Sequence, residues 1–324
     1  MDNTQNTIVQ NDFAVDTIEG LTSDSKYLSS KYFYNEMGSK IFQDIMRMPE
    51  YYLTDCELEI FSNLKQEILA SFSENNESFD LIELGAGDGT KTKILLSHFL
   101  EENANFKYSP IDISSDAVLS LIEDLRTELP NLKVNGLIGD YYNLIGDIKP
   151  NGYLKKVLLF LGSNIGNFND STSFNFLVGL RKVMCSNDLL FIGFDMKKDP
   201  NIILNAYNDP YGHTAAFNLN LLKRINDELG ANFNIDEFYH REEYNPDTGT
   251  ASSYLISKIE QTISINNLDQ NIHFEKGEKI FTEISQKYDL DMINDLAIKS
   301  GFEVVRNFFD ERQYFVNSLW KIKP

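Results

Sequence analysis

The stretch Phe79–Leu84, FDLIEL, runs directly into Gly85-Ala86-Gly87-Asp88-Gly89-Thr90, and Lys91 to Leu100 then carries helical periodicity. A short apolar strand, a turn rich in the one residue that tolerates left-handed backbone, and a helix in immediate succession form the opening unit of a parallel α/β sheet. The alternation repeats. Lys107–Ile113 reads as a strand, Ser114–Leu129 as a helix and Val134–Ile138 as a strand before Gly139-Asp140. Val157–Leu161 and Leu189–Phe194 are continuous apolar runs of the kind buried on both faces of a parallel sheet, separated by the amphipathic stretch Ser173–Met184. This order predicts a doubly wound, mostly parallel sheet.

From Asp199 to Gln286 the rhythm changes to helices over Asn201–Tyr207 and Thr214–Leu229, then strand-like segments around Phe238, Tyr254 and Ile263. The chain closes with a helix over Met292–Ser300 and two strands, Glu303–Phe308 and Gln313–Trp320, around the turn Asp310–Arg312, an antiparallel hairpin that completes the sheet. The expected organisation is a polar N-terminal tail over residues 1–24, a Rossmann-like domain over 61–198 and 287–324, and a smaller α+β substrate lobe over 25–60 and 199–286, closing on a site between the two.

Charge and composition narrow the partners. A formal net charge of -20, with no Lys/Arg-rich run to offset it, repels a phosphate backbone, so nucleic acid is not an expected partner, whereas a small zwitterion is compatible. No signal-peptide pattern and no long apolar run is visible, so a cytoplasmic, monomeric protein away from the membrane is expected. The two cysteines, Cys56 and Cys185, and the four histidines, His98, His213, His240 and His273, lack metal-ligand spacing, and no protein-bound metal is expected.

The strand ends carry the candidate chemistry. Gly85, Gly87 and Gly89 lie where the first strand meets its helix, so that the backbone can approach a ligand and the helix N-terminus offers free N–H groups to it. The ligand is a dinucleotide or S-adenosylmethionine. A dehydrogenase fingerprint requires glycine at position 90, where this chain has Thr90. Asp112, ending the second strand, suits the two ribose hydroxyls of a nucleoside, and Asp140 beside Tyr141, ending the third, suits an adenine amino group; each Asp taken singly also fits a turn or a helix cap. The fourth strand ends in Gly162-Ser163-Asn164-Ile165-Gly166-Asn167, an amide-lined edge that fits methyl transfer to an amine better than hydride transfer. Glu283 and Ser285 share one side of a strand-like run, as a solvated edge strand would also place them. The tyrosines of Glu50-Tyr51-Tyr52 fit packing or ligand contact equally well.

Together these residues resemble the histidine Nα-methyltransferase family of ergothioneine biosynthesis over nearly the whole chain. The likeness rests on Lys31-Tyr-Phe-Tyr34, Gly38-Ser-Lys-Ile-Phe42, Pro49-Glu-Tyr-Tyr52 and Phe160-Leu-Gly-Ser-Asn-Ile-Gly-Asn167. It continues through Ala206-Tyr207-Asn-Asp209, Thr214-Ala-Ala-Phe-Asn218 and Thr282-Glu-Ile-Ser285. The resemblance implies a class I methyltransferase with S-adenosylmethionine as cofactor, held by Gly85, Gly87, Lys91, Asp112, Asp140 and Tyr141. It implies an amino-acid site of Tyr51, Phe42, Gly162, Asn164, Asn167, Tyr207, Ser253, Glu283 and Ser285. Asn167 and Tyr207 meet the amino and carboxylate groups, Glu283 and Ser285 the imidazole, and Tyr34 helps Asn167 with alignment. Two positions depart from the family: Asn164 stands where members carry Thr, and Ser253 near where they carry Met. The acceptor implied is L-histidine, taken to its trimethyl betaine without a strong acid or base. Another amino acid such as tryptophan, a nicotinamide enzyme and a non-catalytic S-adenosylmethionine-binding module are the alternatives.

Overall fold

The computed structural model describes residues 2–73, 76–139 and 154–323, with side chains from residue 12 onward. The chain divides into two compact units, each built from two separated segments: unit 1 is Met1–Tyr52 with Lys198–Ser285, and unit 2 is Leu53–Lys197 with Gln286–Pro324.

Unit 2 holds the doubly wound sheet. Its strands are β1 (Phe79–Leu84), β2 (Phe106–Asp112), β3 (Leu137–Ile138), β4 (Lys155–Phe160), β5 (Leu189–Asp195), β11 (Phe302–Phe309) and β12 (Phe315–Ile322), in the order β11-β12-β5-β4-β1-β2-β3. β1 pairs in parallel with β2 and with β4, and β4 with β5, while β12 runs antiparallel to both β5 and β11. The crevice beyond the carboxyl ends of β1 and β4, where the winding reverses direction, is the usual ligand position of such a sheet. One face is covered by a cluster that includes Ile82, Leu158, Phe160, Phe176, Leu180 and Trp320. Helix α3 (Tyr52–Phe72) brings Phe61 and Phe72 to 6.3 and 5.2 Å from the Phe191 ring. The expected lobe boundary near residue 60 therefore lies earlier, at Tyr52/Leu53, because the apolar stripe of α3 packs into unit 2 as one continuous helix. The third strand is shorter than its sequence pattern, with Val134 making a single bridge to Tyr108. At Gly136 the chain lies against α5 (Ser115–Glu128), where a Cβ would meet Ile122 and Val118 at 2.5 and 2.7 Å.

Unit 1 contains α1 (Asp2–Thr22), α2 (Glu36–Met46), α7 (Pro200–Tyr207) and α8 (His213–Leu229). Its strands are β6 (Phe238–Asn245), β7 (Thr250–Ser257) and β10 (Lys279–Gln286), in the order β10-β7-β6, and the pair β8 (Gln261–Ile265) and β9 (Gln270–Phe274). α8 starts at Gly212, whose φ of 77° is left-handed, and the Asp209 carboxylate accepts from the backbone N–H groups of His213 and Thr214 at 2.9 and 2.8 Å. The core joins Phe33, Phe217, Leu221, Ile225, Phe238, Leu255, Phe274 and Ile280 with Phe13 and Leu21. From residue 12 onward, the segment expected from its composition to be a polar tail joins the core of unit 1 instead. Phe13, Thr17 and Leu21, spaced i, i+4, i+8, are buried, and Ala14 and Ile18 beside them pack against the same core.

Candidate active site

In unit 2 the β1 turn is built as a cradle. Gly85 and Gly87 take left-handed φ values of 73° and 54°, and a Cβ on Gly87 would meet nothing within 4 Å, so the backbone is open to a ligand there. Asp112 closes β2 with each carboxylate oxygen on a backbone N–H: Oδ2 accepts from Gly87 and Oδ1 from Ser114, both at 3.0 Å. One side chain therefore ties the glycine turn to the N-cap of α5 and keeps a further lone pair on each oxygen. Lys91 stands at the N-cap of α4 (Thr92–Glu101), its ammonium 2.5 Å from the Glu57 carboxylate. Asp140 and Tyr141, the other cofactor residues expected from the sequence, lie outside the described residues.

Beyond β4, Gly162 has φ +68° and Ser163 φ 58°, and Asn164–Asn167 form a 3-10 turn. Ser163 Oγ accepts from the Asp195 N–H at 3.0 Å, and Gly166 lies so close to Gln286 that a Cβ would meet its carbonyl oxygen at 2.8 Å, so the turn is pinned from two sides. Asn164, expected at the amino-acid site, reaches back toward β1, its Nδ2 3.4 Å from the position of a Cβ on Gly85. Asn167 ends the turn, half-buried.

Below the cradle, the Glu83 carboxylate is fully enclosed, accepting from Thr92 Oγ1 at 2.7 Å and from the Tyr108 hydroxyl by a short hydrogen bond. Burial pushes Glu83 up to about 7, against the opposing pull of Tyr108, Thr92 and the Lys91 charge. The sequence reading did not single it out.

In unit 1, residues far apart in sequence converge. Tyr34 packs edge-on to Phe42 with centroids 5.4 Å apart, Phe42 to Tyr51 at 6.2 Å and Tyr51 to Tyr207 at 6.4 Å, all near perpendicular. The line ends in a hydrogen bond of 2.9 Å between the Tyr207 hydroxyl and Ser285 Oγ. Glu283 stands two residues before Ser285 on β10, on the same side of the strand.

Ser253 is not brought to this group. Its Oγ donates to Glu242 Oε2 at 2.6 Å on β6, and its carbonyl accepts from Thr282 Oγ1 at 3.0 Å. It therefore stands opposite Thr282, one residue out of step with Glu283, whose side chain alternates to the other face. Neighbouring rings agree with this register, since Tyr254 meets Phe281 at 5.8 Å. Among the described residues no group of three or more His, Cys, Asp or Glu is placed to hold a metal, and no helix is long and apolar enough to cross a membrane.

A doubly wound sheet with a glycine cradle after its first strand, an acid closing the second and an antiparallel hairpin at its edge defines a class I S-adenosylmethionine-dependent methyltransferase. Residues 13–322 match the family described as histidine-specific methyltransferase, SAM-dependent, and the chain belongs to that family. The histidine N-alpha-methyltransferase of Mycobacterium tuberculosis is 32% identical over 304 residues, covering 94% of this chain and 93% of the relative. The enzyme of the same name from Mycolicibacterium smegmatis is 33% identical over 273 residues, covering 84% and 83%. Ergothioneine biosynthesis protein 1 of Schizosaccharomyces pombe is 28% identical over 289 residues, covering 87% of this chain and 37% of that longer protein.

Proposed function

We infer that this chain methylates the α-amino nitrogen of free L-histidine and carries it to the trimethyl betaine. The observation that carries the reading is the convergence, inside a chain of the histidine-specific family, of Tyr51, Tyr207 and Ser285 into one hydrogen-bonded aromatic group with Glu283 on the same strand face. When bound, S-adenosylmethionine supplies an electrophilic methyl on a sulfonium, so the protein has to furnish alignment and a neutral acceptor nitrogen rather than a strong acid or base. Asp112 and the cradle of Gly85 and Gly87 fit its nucleoside. Lys91 fits the methionine carboxylate, because that is the one anionic group the cofactor carries. Asn167 orients the acceptor amine without adding a cation, which keeps its lone pair unprotonated at lower cost. Tyr207 takes the amino-acid carboxylate, and Glu283 with Ser285 takes the imidazole N–H. Tyr34 and Phe42 support Tyr51 through ring packing.

The test is mass spectrometry of the chain incubated with S-adenosylmethionine and a mixture of the twenty amino acids. Histidine gaining one, two and then three methyl units is expected; modification of another amino acid, tryptophan included, would overturn the acceptor, and no turnover would leave a binding module. The same assay on Glu283→Ala addresses specificity. Removing the carboxylate strands the imidazole donor, which costs ~1.5 to 3 kcal/mol, or roughly tenfold to over a hundredfold in kcat/KM for histidine relative to tryptophan. A histidine-to-tryptophan ratio equal to that of the parent would return Glu283 to the role of an edge-strand residue.

A further inference from the structure

Glu57 is an acid on the apolar stripe of α3, between Cys56 and Ile60, and its side chain is 0% exposed. A carboxylate stripped of water is tolerated only when donors replace the water, and here they come from three distant parts of unit 2. Lys91 Nζ lies 2.5 Å from Oε2, the Gly162 N–H 3.0 Å from Oε2 and 3.2 Å from Oε1, and Asn317 Nδ2 2.7 Å from Oε1. The seat is shaped for it. Asn317 and Gly193 face each other across β12 and β5, and a Cβ on Gly193 would meet Glu57 Oε1 at 2.7 Å.

Of the three donors, Lys91 belongs to the cofactor set expected from the sequence, and Gly162, expected among the amino-acid residues, adjoins it. Gly162 begins the loop after β4, and the Lys91 ammonium lies 3.2 Å from where a Cβ on Gly162 would stand. A lysine has a long flexible stem, and an exposed ammonium samples many positions. The Glu57 carboxylate removes that freedom, fixing the cation against the Gly162 backbone. We propose that Glu57 is a positioning residue, which holds the Lys91 ammonium and the Gly162 loop in place for the methionine carboxylate of the cofactor. This rests on the assignment of Lys91 to that carboxylate.

The sign of the effect separates positioning from simple electrostatics. Glu57 is an anion near a site for an anion, so neutralising it would by charge alone tighten carboxylate binding; a loss of affinity isolates the positioning. Calorimetry on the full chain would compare S-adenosylhomocysteine with methylthioadenosine, which shares the nucleoside but lacks the amino-acid end, for the parent, Glu57→Gln, Lys91→Ala and the double variant. Glu57→Gln is expected to weaken S-adenosylhomocysteine about threefold to tenfold, Lys91→Ala roughly tenfold or more, and the double variant no more than Lys91→Ala alone. Methylthioadenosine should bind all four alike. Unchanged or tighter binding by Glu57→Gln, multiplied losses in the double variant, or equal losses for both ligands would each overturn the proposal. Unchanged binding by Lys91→Ala would instead remove the assignment of Lys91 and the proposal with it. If Glu57→Gln does not fold, Glu57→Asp keeps the charge but withdraws it by one methylene, and the same selective loss of S-adenosylhomocysteine is required.

Discussion

Asp112 sits at a strand end that a local pattern reveals, and its two oxygens already receive the Gly87 and Ser114 N–H groups. A carboxylate offers about four lone-pair positions, so about two remain, as many as the proposed pair of ribose hydroxyls needs. Asp112→Ala is expected to cost ~1.5 to 3 kcal/mol for each charged bond lost and to loosen the glycine turn as well, which titration with S-adenosylhomocysteine would read as at least a tenfold rise in Kd. Parent-like affinity would leave Asp112 only its role as a turn residue. Other residues were less legible. Glu57 leaves a trace, an acid on an apolar helical stripe, but its three donors are invisible until Gly162 and Asn317 are folded around it. The family resemblance implies Ser253 beside the substrate residues, and its pairing with Glu242 and Thr282 puts it on the strand face opposite Glu283.

At the scale of the element, α1 shows where a composition-based expectation fails. Its sequence is polar overall, yet Phe13 is buried against Tyr32 with ring centroids 4.6 Å apart, and the Arg224 guanidinium lies 4.7 Å from its ring. A tail residue could be replaced within about 0.5 kcal/mol, whereas a buried phenylalanine truncated to alanine costs ~3 to 5 kcal/mol. Phe13→Ala should therefore lower the unfolding midpoint markedly in urea, and a change within error would detach α1 from the core. The parallel strands were legible for the opposite reason: β4 and β5 carry near-continuous apolar runs because both of their faces are covered. The shortened β3 was not, because Gly136 is drawn against α5 by contacts that no strand pattern records.

At the scale of the whole molecule, the enclosed Glu83 links protonation to folding. Its folded value of about 7 lies above the unfolded 4.5, so the folded chain binds the extra proton between those values. Stability from this group is full below pH 4.5, declines as pH rises toward 7 and is lost above it, a change of ~3 kcal/mol for a shift of this size. Glu83→Gln should remove that slope, and thermal unfolding of parent and variant between pH 4 and 8 would show the curves converging or diverging by that amount; parallel curves would refute the linkage. Each unit is assembled from two segments far apart in the chain, so neither core forms from a local stretch. The alternation of strands and helices, the glycine turn, the strand-end place of Asp112 and the closing hairpin are legible along the chain, since these follow from periods of 2 and 3.6 residues and from backbone angles that only certain residues adopt. Which distant side chains meet is settled only by packing. Tyr207 and Ser285 are 78 residues apart and Glu57 and Asn317 are 260 apart, and such contacts exist only once the intervening chain has packed, because no local periodicity carries information over those distances.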